Sequence, residues 1–242
     1  MNGLYHEWGH LSMTDSIYLA MTAGEILGAD SLPKHFAYMA CHFSPYGTGL
    51  SNLPESLPPD SILIVNDRTP ICNHDAIKIR EQLESIVNTL HCSGVLLDFQ
   101  RPDEEETALL CDCLAGALPC PVGISHFYAP PLSCPVFVPP LPLDEKLCDY
   151  LAPWQGREIW MDIAEESVKF TVTPEGSNCV PCLPPQEKTI YSKELHCNYQ
   201  IQVFPNHAEF ILHRCRDQFP ALMKEASQLG VTNFIGLYQQ LK

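Results

Sequence analysis

Cys92-Ser93-Gly94-Val95-Leu96-Leu97-Asp98-Phe99-Gln100-Arg101-Pro102 is an apolar run that turns abruptly polar at its carboxyl end. A short aliphatic stretch bounded by Gly and Pro is the pattern of a strand buried on both faces of a parallel sheet. In barrels and open α/β sheets, ligands sit outside the carboxyl ends of the strands. Asp98, Gln100 and Arg101 therefore become the first candidate functional residues.

Working outward, similar runs start near Phe36, Ser61, Pro121, Pro135, Glu158, Asn198 and Val231, which with Gly94 makes eight strands. Helical periodicity separates most of them: 75–90 carries Ile77, Ile79, Leu83, Ile86, Val87 and Leu90 on one side, and 216–229 ends at Gly230. Strands alternating with helices call for a parallel sheet, and eight of them close a (β/α)8 TIM-like barrel. Connections loosen after the fifth strand, so the barrel is expected to be distorted in its C-terminal third. An open doubly wound sheet is the alternative. Residues 14–28, with Thr14 or Asp15 as cap and Ile17, Leu19, Ala20, Ile26 and Leu27 as apolar face, predict a first helix. Residues 1–35 would then form a helical strap on one domain spanning 1–242. Val168 to Thr173 reads as an added strand, and Ala208 to Leu212 as a run folding back on Asn198 to Phe204.

Fourteen basic against 29 acidic side chains give a net charge of -15, which repels phosphate backbones and anionic lipid. Nucleic acid and membrane surfaces are accordingly not expected as partners. The start of the chain lacks the basic and apolar regions of a secretory signal, and several of the 12 cysteines lie in apolar runs. Reduced thiols and a cytoplasmic location are the expectation. Oligomeric state is left open.

The stretch Ser93 to Pro102 resembles the fourth-strand signature of family-18 glycoside hydrolases, the chitinase-like barrels. Their pattern is Asp-Gly-x-Asp-x-Asp-x-Glu, followed by an aromatic residue and Pro. Gly94, Asp98 and Pro102 match; Ser93 and Leu96 stand where the family has its first two Asp residues, and Gln100 stands where it has its catalytic acid. The resemblance implies a carbohydrate-related barrel in which Asp98 keeps a contact to the substrate's acetamido group. The family's proton donor is missing, because an amide has no proton to give at neutral pH. By the strand count above this stretch is third; the resemblance makes it fourth.

Other strand ends add polar candidates: Asn66, Asp67 and Arg68 after the second strand, His126 and Tyr128 after the fourth, Asp162 and Glu165 after the sixth, Tyr238 after the last. A barrel would bring these to one face with Asp98, Gln100 and Arg101. Asp98, Asp67, Asp162 and Glu165 are the candidate catalytic carboxylates. Gln100, Arg68, Arg101, His126, Tyr128 and Tyr238 are the candidate contacts to a small-molecule or carbohydrate ligand. The chain would then act on its ligand as a hydrolase or isomerase, or bind it without turnover. The structural alternative is that Asp67–Arg68 and Asp98–Arg101 are local ion pairs and caps.

Two metal motifs compete. His6-Glu7-Trp8-Gly9-His10 matches H-E-x-x-H, two imidazoles one helical turn apart with a Glu between them, as in zinc metallopeptidases; Glu25 would be a third ligand. Cys179, Cys182, His196 and Cys197 could form a Cys3His zinc site, though a single C-x-x-C is a weak signal. No P-loop, dinucleotide fingerprint or G-x-S-x-G elbow occurs, so neither a nucleotide cofactor nor α/β-hydrolase chemistry is expected, and no cofactor or metal is assigned.

Overall fold

The computed structural model describes residues 17–69, 75–102, 104–185 and 188–242. The chain runs β1 (Ile17–Met21), α1 (Ala23–Gly28), β2 (Phe36–Phe43), β3 (Leu50–Ser51), β4 (Ile62–Asn66), α2 (Ala76–Leu90) and β5 (Gly94–Asp98). It continues through α3 (Glu105–Leu114), β6 (Val122–Ser125), β7 (Val136–Val138), α4 (Leu147–Leu151) and β8 (Ile159–Asp162). Five strands follow: β9 (Glu166–Thr173), β10 (Gly176–Pro181), β11 (Ile190–Ser192), β12 (Cys197–Val203) and β13 (Ala208–Arg214). Then come α5 (Phe219–Gln228), β14 (Val231–Leu237) and α6 (Tyr238–Leu241).

The first sheet has the order β1-β14-β8-β7-β6-β5-β4-β2, with β3 added antiparallel to β2. Its β1 pairs in parallel with both β14 and β2, which closes the barrel and excludes the open sheet. The (β/α)8 architecture is therefore the one expected. Two of its assignments are corrected. Residues 17–21 are not part of a helical strap but the first barrel strand, with all but Tyr18 buried between two neighbours. Five apolar-rich residues fit either period, and only pairing on both sides decides between them. The helix starts later, at Thr22, whose Oγ1 accepts from the Glu25 N–H while Glu25 Oε2 accepts from the Thr22 N–H at 2.7 Å.

The second correction concerns Asn198 to Phe204. It is not a barrel strand: β12 pairs antiparallel with β13 in a separate five-stranded sheet, β10-β9-β13-β12-β11. That sheet is inserted after β8 and supplies the distortion foreseen for the last third. Its near end packs Leu143, Cys197 and Leu212 together. The buried Arg214 ties it down by donating to the carbonyls of His196 (3.1 Å), Leu195 (3.0 Å) and Leu141. With β1 counted, β5 is the fourth strand of the barrel.

Strand alternation sorts the side chains. On β4, Ile62 and Ile64 belong to the interior cluster, while Leu63 and Val65 pack outward against the helices. Leu96, Phe137, Trp160 and Ile235 complete the interior. Trp160 fills its lower layer: a Cβ on Gly94 or Gly123 would come within 2.7 and 2.6 Å of the indole ring. Glycine at both positions is thus a packing requirement. The indole N–H donates to Glu158 Oε1 at 3.0 Å, which also accepts from Thr232 Oγ1.

Helix α2 keeps most of the stripe its sequence pattern predicts, but Ile77, in the first turn, is exposed. Ile79, Leu83 and Val87 are its buried stripe, and Asp75 caps it by accepting from the N–H groups of Ile77 (3.0 Å) and Lys78 (3.1 Å). Asp75→Ala is expected to lower the unfolding free energy by about 1 kcal/mol; urea denaturation monitored by circular dichroism checks it.

Candidate functional site

The inner face continues upward past Trp160. Gly94, Leu96 and Asp98 alternate inward on β5, Ile62, Ile64 and Asn66 on β4, and Trp160 and Asp162 on β8. Asn66, Asp98 and Asp162 thereby meet at the carboxyl ends of the strands, where they line a cavity of about 550 Å³. Ligand sites of small molecules run from roughly 300 to 1,000 Å³. Its lower wall is apolar (Met39, Ile64, Leu96, Phe137, Ile235), and Thr22, His42, Asn52, Arg68 and Gln100 contribute polar groups.

Two carboxyls dominate its electrostatics. Burial pushes the Asp98 carboxyl up to about 6; the Gln100 amide, which donates to its Oδ1, pulls the other way, and the charge of Asp67 adds to the rise. Burial pushes Asp162 up to about 7, with the charge of Asp98 as the next cause. The backbone N–H of Ile163 offsets part of that rise and Glu166 adds to it. Both carboxyls therefore keep their protons to higher pH than an ordinary carboxylate. A proton donor and an acceptor at near-neutral pH are the ingredients of general acid–base chemistry.

Asp67 also lines the cavity, but it is buried, and its Oδ2 accepts from the N–H groups of both Gln100 and Arg101 at 2.9 Å. It fixes the turn after β5. Asn66 is engaged in a similar way: its Nδ2 donates to the Met39 carbonyl at 3.0 Å, where a bulge shifts the β2–β4 register. Its Oδ1 accepts from the Arg68 N–H at 3.1 Å. Among the described residues no ion pair joins Asp67 to Arg68 or Asp98 to Arg101, but Asp67 does hold the backbone of the next loop, as the structural alternative has it.

The remaining candidates lie off the cavity. Glu165 pairs with Arg216 (3.4 Å to Nε), because the chain leaves the barrel after β8 and carries this side chain toward α5. Tyr128 is buried; its hydroxyl donates to the Arg101 carbonyl and accepts from the Glu104 N–H, clasping the loop into α3. His126 packs against Phe127 with ring centroids 4.0 Å apart, and burial lowers its pKa. Tyr238 lies under the Lys242 ammonium, 5.5 Å from its ring centroid. Among the described residues the Arg101 side chain donates to the Arg68 carbonyl, at 3.5 Å. Sequence reasoning passed over Thr22 and His42. Thr22 was hidden by the misread first strand, whereas a polar His42 near the end of an apolar strand was a usable signal.

The metal candidates separate. His6, Glu7 and His10 lie outside the described residues, and Glu25 is taken up by the Thr22 capping box. Cys179 is exposed on β10, Cys182 Sγ lies 3.3 Å from Ser167 Oγ, and His196 Nε2 faces Glu225 Oε2 at 3.3 Å. Cys197 is buried and donates to the Leu143 carbonyl. The four residues of the proposed Cys3His site thus point to different partners. Among the described residues no group of three or more His, Cys, Asp or Glu could hold a metal ion. No described helix is long and apolar enough to cross a membrane.

The sequence matches no protein-family model, and no curated protein matches it. Solved structures do resemble it. A variant of the family GH18 chitinase from Cycas revoluta, in complex with (GlcNAc)4, aligns at 11% identity over 91% of this chain and 94% of that one, with a TM-score of 0.57. The likeness is one of fold. The spore cortex-lytic enzyme SleL of Bacillus megaterium aligns at 8% identity over 93% of this chain and 70% of that one (TM-score 0.53). SleL of Bacillus cereus aligns at 9% identity over 83% of this chain, which spans 63% of that enzyme (TM-score 0.49). In a GH18-like fold the signature resembled by Gly94, Asp98 and Pro102 belongs to the fourth strand, which is where β5 stands.

Proposed function

We propose that the protein is a carbohydrate-binding barrel whose cavity takes a carbohydrate-like small molecule at the carboxyl ends of its strands. The observation that carries this reading is Asp98, on the fourth barrel strand, facing the cavity with Asp162 opposite and Gln100 beside it. Gln100 stands where the resemblance puts the family's acid, and its amide donates to Asp98 rather than to a leaving group. Binding without hydrolysis follows from that exchange.

The Cycas revoluta chitinase was solved with (GlcNAc)4, which makes that oligosaccharide the first probe of a glycan panel. Isothermal titration should find saturable binding to at least one member of the panel, with no cleavage products by mass spectrometry. Asp98→Ala, shown folded by circular dichroism, should weaken that binding at least tenfold, equivalent to about 1.4 kcal/mol. Binding unchanged in the variant, or no binding across the panel, would refute the reading.

One observation favours a second reading, in which the pair acts on its ligand. Asp162 titrates near 7 and so retains a proton where an ordinary carboxyl has lost it. Asp162 would then donate to a leaving oxygen, with Asp98 as its partner. Turnover that declines as pH rises past about 7 and vanishes in Asp162→Asn would establish this instead.

A further inference from the structure

Of the six arginines in the chain, three are engaged by acceptors of the protein itself. Arg157 donates to the carbonyls of Ala129, Leu132 and Cys134. Arg214 holds three carbonyls of the inserted sheet and its approach loop. Arg216 pairs with Glu165 and caps the C-terminal carbonyls of Gln240 and Lys242. Arg80 is exposed on α2. Arg68 and Arg101 are different: both follow strands whose ends build the cavity, and Arg68 lines it.

No carboxylate among the described residues forms an ion pair with either. The two are neighbours, since Arg101 Nη2 donates to the Arg68 carbonyl at 3.5 Å. Their backbones are pinned, Arg68 by Asn66 Oδ1 and Arg101 by the buried Asp67, so both side chains start from fixed points. In a chain of net charge -15, two adjacent cations without an ion-pair partner among the described residues concentrate positive potential at one edge of one cavity.

Resting on the carbohydrate reading above, we propose that the ligand is an acidic saccharide. Its hydroxyls face Asp98 and Asp162, and its carboxylate is received at the rim by Arg68, with Arg101 reinforcing the charge. A guanidinium presents paired N–H donors matched to the two oxygens of a carboxylate, a geometry that neutral sugars do not use. The anionic end is also excluded from the deep end, where the negative charge of the Asp98–Asp162 pair repels it.

The test compares two probes with the same backbone: a hyaluronan tetrasaccharide, which carries glucuronate carboxylates, and its carboxyl-reduced form. At 20 mM salt the wild-type protein should bind the carboxylate form about five- to tenfold more tightly, the size of a partly exposed charged contact. The ratio should shrink at 500 mM salt. Arg68→Gln should bring the two affinities together, whereas Arg80→Gln should leave the ratio as in wild type. Equal affinity of the wild type for both probes overturns the acidic-ligand inference and leaves the carbohydrate reading standing. A preference that survives Arg68→Gln overturns the assignment to this rim. Binding of neither probe overturns the inference, and the glycan panel decides the broader reading independently.

Discussion

Replacing Asp162 with asparagine is expected to make the protein more stable at pH 8, by on the order of 2–4 kcal/mol, and to flatten its stability between about pH 4 and 7. In an unfolded chain this carboxyl has its model value of 3.8; in the folded barrel burial and the charge of Asp98 raise it to about 7. The folded state therefore binds the proton more tightly. Its contribution to stability is full below 3.8 and is lost as pH rises through about 7, so at pH 8 the barrel carries a buried charge it would rather not hold. Asparagine keeps the shape without the charge. It also removes the group on which the charge of Asp98 acts. Chemical denaturation at pH 4.5, 6, 7 and 8 reads the effect. A variant less stable than wild type at pH 8 would show that Asp162 holds the fold together rather than straining it. Natural sequences keep such strain where activity requires it, which is why this pair is the centre of the proposed site.

Trp160→Ala should cost about 3–5 kcal/mol of unfolding free energy, the range for removing a fully buried aromatic side chain. Trp160 is 1% exposed, and Gly94 and Gly123 are both shaped to its ring, so neither neighbour has a side chain that could move into the space. Glu158 and Thr232 would in addition lose the indole N–H from their shared network. Urea denaturation measures the loss directly. A cost below about 1.5 kcal/mol would mean that the barrel collapses around the missing ring. Because the indole lies beneath Leu96 and the cavity floor, the variant should also weaken ligand binding, a consequence that titration can separate from global unfolding at low temperature.

Much of the site was legible before any coordinates. The run Gly94-Val95-Leu96-Leu97-Asp98 carries its own parity: once it is a strand with a packed interior on one side, Gly94, Leu96 and Asp98 must share a face. The same logic places Asp162 above Trp160 and Asn66 above Ile64. Parity fails beyond the strand ends. Glu165 was chosen for proximity to β8, yet the chain turns there into the inserted sheet and gives that carboxylate to Arg216. Tyr128 and Arg101 looked like ligand contacts, yet each closes a loop through a backbone carbonyl.

Asp67 and Asp98 look equivalent as letters in a sequence, each at the end of an aliphatic strand. The structure separates them: Asp67 accepts two backbone N–H groups, while Asp98 is held by one side-chain amide and faces a second carboxylate. Hydrogen-bond partners that lie 33 and 34 positions away leave no local trace, so this difference could not be read from spacing.

By itself, then, the sequence determined the alternating strands and helices, the stripe of α2 and the inward parity of β5, because side-chain period and apolar content act over a few residues. The tertiary structure alone decided that Ile17–Met21 closes the barrel and that Cys197–Val203 does not. The first is a short apolar stretch and the second an alternating one, and the fate of each depends on which strands flank it, a choice made by pairing across most of the chain.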